Sequence, residues 1–411
     1  MESYPRAIVH VDGDAFFVGC EVAKRPWLKG KPVVTGAERG IASALSYEAK
    51  ARGVTRGMRM SDVRKICPDV TIFPGDYETY AMYSARMVNI VRQYTADVEA
   101  YSIDECFADI TGMQNRFGIS YEEIAQKIKY DLDNELGMTF SVGLSVNKVL
   151  AKCASKWQKP SGLTFIPFDK INEYLEAIPI GKIWGIGGSS AVSIGKYKIF
   201  TALGFAEKKH EWVRAIFPKP IQEIHSELKG EFVYRLNLGE REIQKSIMRT
   251  RTFRPPSKNR SFVFSELSKN IEEASQRLRS MGVCAREFSF FLKTQEFRYH
   301  NMSVKLDIES SVPQVFLREI EKHFDTLFKP HTLYRTTGIR FFNLISTNFT
   351  TPDLFGEKKG GEKILKIYET MDRLSRKFGD HAVFLASSFK SRSNDIPEKR
   401  RLNIPSLGEV I

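Results

Sequence analysis

Ala7-Ile8-Val9-His10-Val11 runs straight into Asp12-Gly13-Asp14-Ala15-Phe16-Phe17, and the reading of the whole chain turns on this stretch. The first five residues read as a buried strand, and the acids stand where it ends. Far along the chain, Tyr101-Ser102-Ile103-Asp104-Glu105-Cys106-Phe107 repeats the arrangement, with acids between two runs of β-formers, 98–103 and 106–110, that read as a hairpin. Any one Asp here is ordinarily a solvated turn residue, since turns favour Asp. The joint pattern says more, because carboxylates at strand ends converge in space although they are distant in sequence. Such a cluster suits Mg²⁺, a hard ion that takes oxygen ligands and keeps positions open for substrate phosphates. Two such ions can clamp the attacking and leaving oxygens of a phosphoryl transfer.

Outward from these acids, residues 16–24 read as a helix ended near Pro26, 31–35 as a strand, and 42–53 as holding a helix closed by Gly53. A short helix at 60–66 precedes a strand at 70–73. Apolar residues at helical spacing mark 77–94 and 121–136, a strand follows at 140–144, and a helix starts at Asn147. The order β-α-β-β-α-β around the acids predicts an α+β fold with a ferredoxin-like sheet and helices on one face, into which 21–75 is inserted. From 166 to 238 the chain reads as helical with Gly-rich turns. A charged linker at 239–246 leads into a second β-α-β-β-α-β pattern over 247–345, with strands at 248–253, 287–294, 299–306 and 332–341 and helices at 266–280 and 313–324. The tail, 346–411, holds a helix at 363–378, a short strand at 381–386 and a polar, disordered end from Lys390.

The chain of 411 residues is too long for one ordinary core, and its formal charge of +13 favours a polyanionic partner. No apolar run approaches a membrane span, so a membrane partner is not expected. The N-terminus lacks the features of a signal peptide. The five scattered cysteines have no zinc-site spacing and suit a reducing cytoplasm.

At Val11–Phe17 and Tyr101–Glu105 the chain resembles the Y-family of translesion DNA polymerases, of the DinB/UmuC type. Ser46-Tyr47-Glu48-Ala49-Lys50 with Gly53-Val54 resembles the family's nucleotide-contacting fingers helix. Ser141 to Lys148 and Lys159-Pro160-Ser161-Gly162 resemble the end of its palm. Ile178-Pro179-Ile180 and Trp184-Gly185-Ile186-Gly187 resemble its helix-hairpin-helix element. The resemblance implies a right-hand polymerase: palm 1–20 and 76–165, small fingers 21–75, helical thumb 166–238, linker 239–246 and little finger 247–345. It implies Asp12, Asp104 and Glu105 as catalytic ligands of two Mg²⁺ ions, with the Gly13 carbonyl completing one site. Asp14 is then structural and caps the following helix. Phe17 aligns with the steric gate that rejects ribonucleotides, and Phe16 packs with its amide near the phosphates. Tyr47, Lys50 and Lys159 map onto triphosphate contacts. Lys50 stands where Arg is commoner, giving charge without a bidentate fork.

Gly185 and Gly187 would set backbone amides against a DNA phosphate. Arg249, Arg251 and Arg254 are the phosphate contacts expected of the little finger, and Leu354-Phe355 in Thr351-Pro352-Asp353-Leu354-Phe355 resembles the family's sliding-clamp peptide. The implied partners are primer-template DNA, deoxynucleoside triphosphates and a sliding clamp, for a monomer at the bacterial nucleoid. Copying would be of low fidelity and without proofreading, since no exonuclease-like acidic set is present. Two other readings are weighed. A nucleotidyl cyclase shares the sheet and two acids but needs neither the helix-hairpin-helix element nor a basic domain. A DNA-binding scaffold with a dead palm would not need all three acids.

Overall fold

The computed structural model describes residues 3–239, 244–347, 359–379 and 382–393. They form two units, one through Gly239 and one after it, each with its own core. In chain order the strands are β1 (Ile8–Gly13), β2 (Val33–Thr35), β3 (Ala44–Leu45), β4 (Thr71–Phe73), β5 (Val98–Ala100), β6 (Glu105–Asp109), β7 (Phe140–Ser145) and β8 (Leu163–Ile166), followed in the second unit by β9 (Ser246–Ser257), β10 (Val283–Thr294), β11 (Tyr299–Ser310) and β12 (Tyr334–Ser346).

In the first unit the main sheet has the order β5-β6-β1-β7-β8. Its first four strands give the expected ferredoxin-like arrangement, with β1 central and antiparallel to both neighbours. Every residue of β1 is buried. Val9 and Val11 share a core with the helices Tyr77–Arg92 and Tyr121–Leu136. The opposite face carries Ile8, His10 and Asp12, and the helix Lys148–Trp157 covers it: Ser155 hydrogen-bonds His10, and Ala151 packs with Ile8 and Phe107. Helices therefore lie on both faces, not one. Gly143 of β7 makes this approach possible. A Cβ there would come within 2.2 Å of the Ser155 amide nitrogen and 2.3 Å of the Ala151 carbonyl oxygen, both of them backbone atoms that cannot swing aside. Gly143→Ala should therefore lower stability by about 3 kcal/mol, measured by denaturant titration, because the helix must lift off the sheet.

β8 adds a fifth strand, parallel to β7, where a domain boundary was expected. Asn147 caps the helix Lys148–Trp157 and also donates to the carbonyls of Glu227 and Glu231, tying it to later helices. Those helices, from Ile171–Ala177 to Lys219–Leu228, share the apolar core of the sheet. The 21–75 insertion forms its own small sheet, β3-β2-β4, around Val34, Leu45, Ala49 and Val63. Its helix Tyr47–Ala51 is capped by Ser46, which accepts from the Ala49 amide at 3.2 Å.

The second unit has the expected element order, but its strands run β11-β10-β12-β9, a connectivity different from that of the first sheet. The expected strand at 381–386 does not form among the described residues. A short 3-10 turn, Ala386–Ser388, leads into a helix at Phe389–Ser393, so Lys390 is ordered rather than disordered. With the helix Lys359–Phe378, this segment contacts the helix Arg260–Ser280. Arg279 pairs bidentately with Asp372, at 2.7 and 2.8 Å, and Arg392 pairs with Glu272 at 2.8 Å. All four side chains are nearly buried. No helix among the described residues is long and apolar enough to cross a membrane.

Candidate active site

Antiparallel register places Asp12 directly opposite Glu105. The Gly13 amide donates to the Asp104 carbonyl at 2.8 Å, so all three acids meet at one end of the sheet. Two ammonium groups face the opposed pair: Lys159 donates to Asp12, and Lys152 donates to Glu105 at 2.7 Å. Burial pushes the Asp12 carboxyl up to about 6, with Lys159 pulling against this and the charge of Glu105 adding to it. The Asp104 carboxylate accepts from the Ser102 hydroxyl. Beneath the pair, buried His10 contacts Ser155 Oγ at 2.6 Å through Nδ1 and holds Nε2 4.0 Å from Glu105. Burial first, and four nearby lysines second, lower its pKa well below the usual range, so it is neutral at pH 7.

Among the described residues no three Asp, Glu, His or Cys side chains gather into one cation cage. The donors still fit a divalent ion. Asp12 and Glu105 offer hard oxygen donors, nearly buried and each paired with its own lysine, and their close approach carries the cost of like-charge repulsion. Gly13 lies in this cluster, and a side chain there would meet the Phe16 ring at 2.6 Å.

Asp14 does not cap the helix Phe16–Lys24. Ala15, at φ 46°, is its N-cap and makes no side-chain bond. Asp14 instead turns inward and accepts from the Ser141 hydroxyl at 2.8 Å and the Ser161 amide at 2.7 Å, fastening the Lys159 loop to the sheet. Lys159 also lies 3.7 Å from Asp14, and the Tyr47 hydroxyl approaches Asp14 at 3.5 Å. The Lys50 ammonium sits 4.3 Å from the centre of the Tyr47 ring. Burial, and then Lys159, lower the Lys50 pKa, which places two cations at one mouth. The sequence-derived set Tyr47, Lys50 and Lys159 is thus brought together beside the acids. Phe16 is buried and Phe17 is half-buried, both at the start of the helix Phe16–Lys24.

Lys152 and His10 were not anticipated. The signal for Lys152 was present: Lys148, Lys152 and Lys156 recur every four residues and make one cationic stripe on a helix. Lys148 donates to Glu99 at 2.6 Å as Lys152 does to Glu105, so the stripe matches acids on β5 and β6.

Comparison with known proteins bears on the family and the fold. The impB/mucB/samB family profile matches residues 11–156, and that family's C-terminal domain matches residues 244–354. A DNA polymerase IV of Desulfatibacillum aliphaticivorans is 30% identical over 391 residues, covering 92% of this chain and 95% of that protein. The chain belongs to the Y-family of DNA polymerases. A second relative in the family, the DNA polymerase IV of Streptococcus suis (strain 98HAH33), is 30% identical over 354 residues, covering 84% of this chain and 97% of its own. Among solved structures, a Y-family DNA polymerase chimera shares the fold with a TM-score of 0.69 at 23% identity, covering 83% of this chain and 99% of that one.

In this Y-family chain Gly185 sits at φ 87°, a left-handed conformation that favours glycine, with Ile224 Cδ1 2.6 Å from where a Cβ would stand. Gly187 is the N-cap of the helix Gly188–Gly195, with no side-chain cap and open space around it. The three arginines of β9 separate. Arg249 and Arg251 share the strand parity of buried Ile247 and Phe253, and Arg251 lies 3.7 Å from Glu266 on the covering helix. Arg254 is exposed, in the irregular stretch where the β9–β12 register shifts. Register puts other cations on the uncovered parity: Arg340 opposite Met248 and Ser289, Lys305 opposite Glu287, and Lys293 opposite Thr336 and Tyr299. Leu354 and Phe355 lie outside the described residues.

Proposed function

We propose that the chain is a template-directed DNA polymerase of translesion synthesis, with Asp12, Asp104 and Glu105 as the residues that hold Mg²⁺. One observation carries the reading: Asp12 and Glu105 oppose each other with Asp104 alongside, at the mouth where Tyr47, Lys50 and Lys159 converge. Bound Mg²⁺, two ions in this reading, supplies Lewis acidity toward the primer 3′-hydroxyl and charge against the triphosphate. The chain's own groups do the rest. Lys50 and Lys159 offer ammonium groups to the triphosphate, and Tyr47 offers a hydroxyl. Phe16 contributes its amide, while the bulk of Phe17 leaves no room for a 2′-hydroxyl. Gly185 and Gly187 bring amides to a DNA phosphate, and cations of the second unit, exposed Arg254, Arg340 and Lys305 with half-buried Lys293, hold the duplex backbone without reading sequence. A sliding clamp engaging Leu354 and Phe355, a monomeric state and a cytoplasmic, nucleoid location complete the proposal.

Primer extension by the whole chain tests it. Extension should follow the template base and require Mg²⁺. Triphosphate turnover without primer would instead indicate a cyclase, and DNA binding without extension a scaffold. A fragment ending at Gly239 should keep the metal chemistry yet bind primer-template at least about tenfold more weakly, with a shallower salt dependence, because it loses the basic unit. Equal affinity and equal salt slope in a binding titration would remove the second unit from the DNA-binding role.

A further inference from the structure

Phe17 does not stand alone. Its ring lies flat on the Tyr80 ring, with centroids 4.5 Å apart and planes 13° apart, while the Tyr77 ring meets it edge-on at 5.7 Å. Tyr80 is fully buried on the helix Tyr77–Arg92, and its hydroxyl donates to Glu21 at 2.9 Å. Glu21 follows Phe17 by four residues on the helix Phe16–Lys24, so the two share one helical face. That face therefore grips Tyr80 twice, at the ring through Phe17 and at the hydroxyl through Glu21. The Glu21 carboxylate is itself buried and is neutralised by Arg25, one turn further on, whose guanidinium lies 4.7 Å from the Phe73 ring of β4. Tyr77 is anchored in the insertion, since its hydroxyl donates to Glu38 at 3.3 Å and Glu38 also accepts from the Gly75 amide at 2.8 Å.

A half-exposed phenyl ring rotates about two torsions, and a gate that works by bulk is only as strict as its ring is fixed. We propose that Tyr80, tethered by Glu21, is a positioning residue that fixes the height of the Phe17 ring and so sets how strictly the site rejects a 2′-hydroxyl. The inference rests on the reading of Phe17 as the gate. Tyr80 acts only through that ring, and its removal should spare deoxynucleotide insertion far more than it spares discrimination.

The test is the ratio of deoxy- to ribonucleotide kcat/KM, measured for the whole chain and for Tyr80→Leu, Tyr80→Phe, Glu21→Gln and Phe17→Ala, with thermal melting as a control for folding. Tyr80→Leu, which removes the platform, should lower the ratio about tenfold, while deoxynucleotide insertion changes only about twofold. Tyr80→Phe keeps the stack and loses only the tether, so its ratio should fall between those of the parent and Tyr80→Leu. This variant carries the test if the leucine variant does not fold. An unchanged ratio in both Tyr80 variants, with a lowered ratio in Phe17→Ala, overturns the inference and leaves the gate standing. Equal losses with both nucleotides also overturn it, since Tyr80 would then serve only the fold. If Phe17→Ala itself leaves the ratio unchanged, the gate reading and this inference fall together.

Discussion

Asp12→Ala, Asp104→Ala and Glu105→Ala should each cut primer extension by at least about a thousandfold while leaving duplex affinity within a few-fold of the parent. The three carboxylates are gathered at one end of the first unit's sheet, and the cations proposed to hold DNA are carried by the second unit, so their loss should be felt in chemistry rather than in binding. The three variants should differ in stability. Lys152 is nearly buried against Glu105, and removing that partner strands a charge in the protein interior. Lys159 is more exposed and keeps Asp14 within 3.7 Å when Asp12 is removed. Glu105→Ala should therefore melt lowest of the three, and Glu105→Gln should recover part of the melting temperature without recovering activity. Substantial extension by the Asp104→Ala protein would remove the central claim.

Phe17→Ala should admit ribonucleotides, with the deoxy-to-ribo preference in single-turnover incorporation falling at least about a hundredfold. In the proposed reading the gate works by volume. A site that rejects a hydroxyl by clash loses that rejection when the ring goes, whereas a site that recognises the sugar through hydrogen bonds would not. An unchanged preference would place the gate elsewhere. The cage of Tyr77 and Tyr80 should survive this substitution, because Tyr80 remains bonded to Glu21, so melting should shift modestly.

The acids and the strands that carry them were legible because β1 is buried on both faces and reads as an apolar run, interrupted only by His10 and bounded by Asp12. The pairing of Asp12 with Glu105 could be anticipated only as convergence, since register depends on which strands meet and not on either strand alone. Two failures share one cause. The helix Lys148–Trp157 was readable as a helix, but the face of the sheet it covers is decided by Gly143 and by the His10 to Ser155 contact, which are tertiary facts. Arg249 and Arg251 lie on the covered parity of β9, which only a knowledge of where the helix Arg260–Ser280 packs could have revealed. The resemblance makes Asp14 a structural helix cap, yet its partners, Ser141 and Ser161, lie more than a hundred residues away. The expected strand near Val383 failed because short apolar runs do not distinguish a strand from a turn. Here Phe384 stacks on Phe389 and the chain closes into a helix.

The layer that the last described residues add to the second unit is fastened in an unusual way. Beside hydroxyl and amide hydrogen bonds such as Ser268 to Ser387 and Ser391 to Ser265, its links to the helix Arg260–Ser280 include two ion pairs, Arg279 to Asp372 and Arg392 to Glu272. Ion pairs taken out of water contribute little net stability, but each makes a wrong alignment expensive, because a misplaced guanidinium would be left without its carboxylate. These pairs act as registration marks more than as glue. This layer should thus tolerate changes in its apolar residues more readily than the exchange of a single Arg for Lys, which cannot reproduce the two-pronged grip on Asp372.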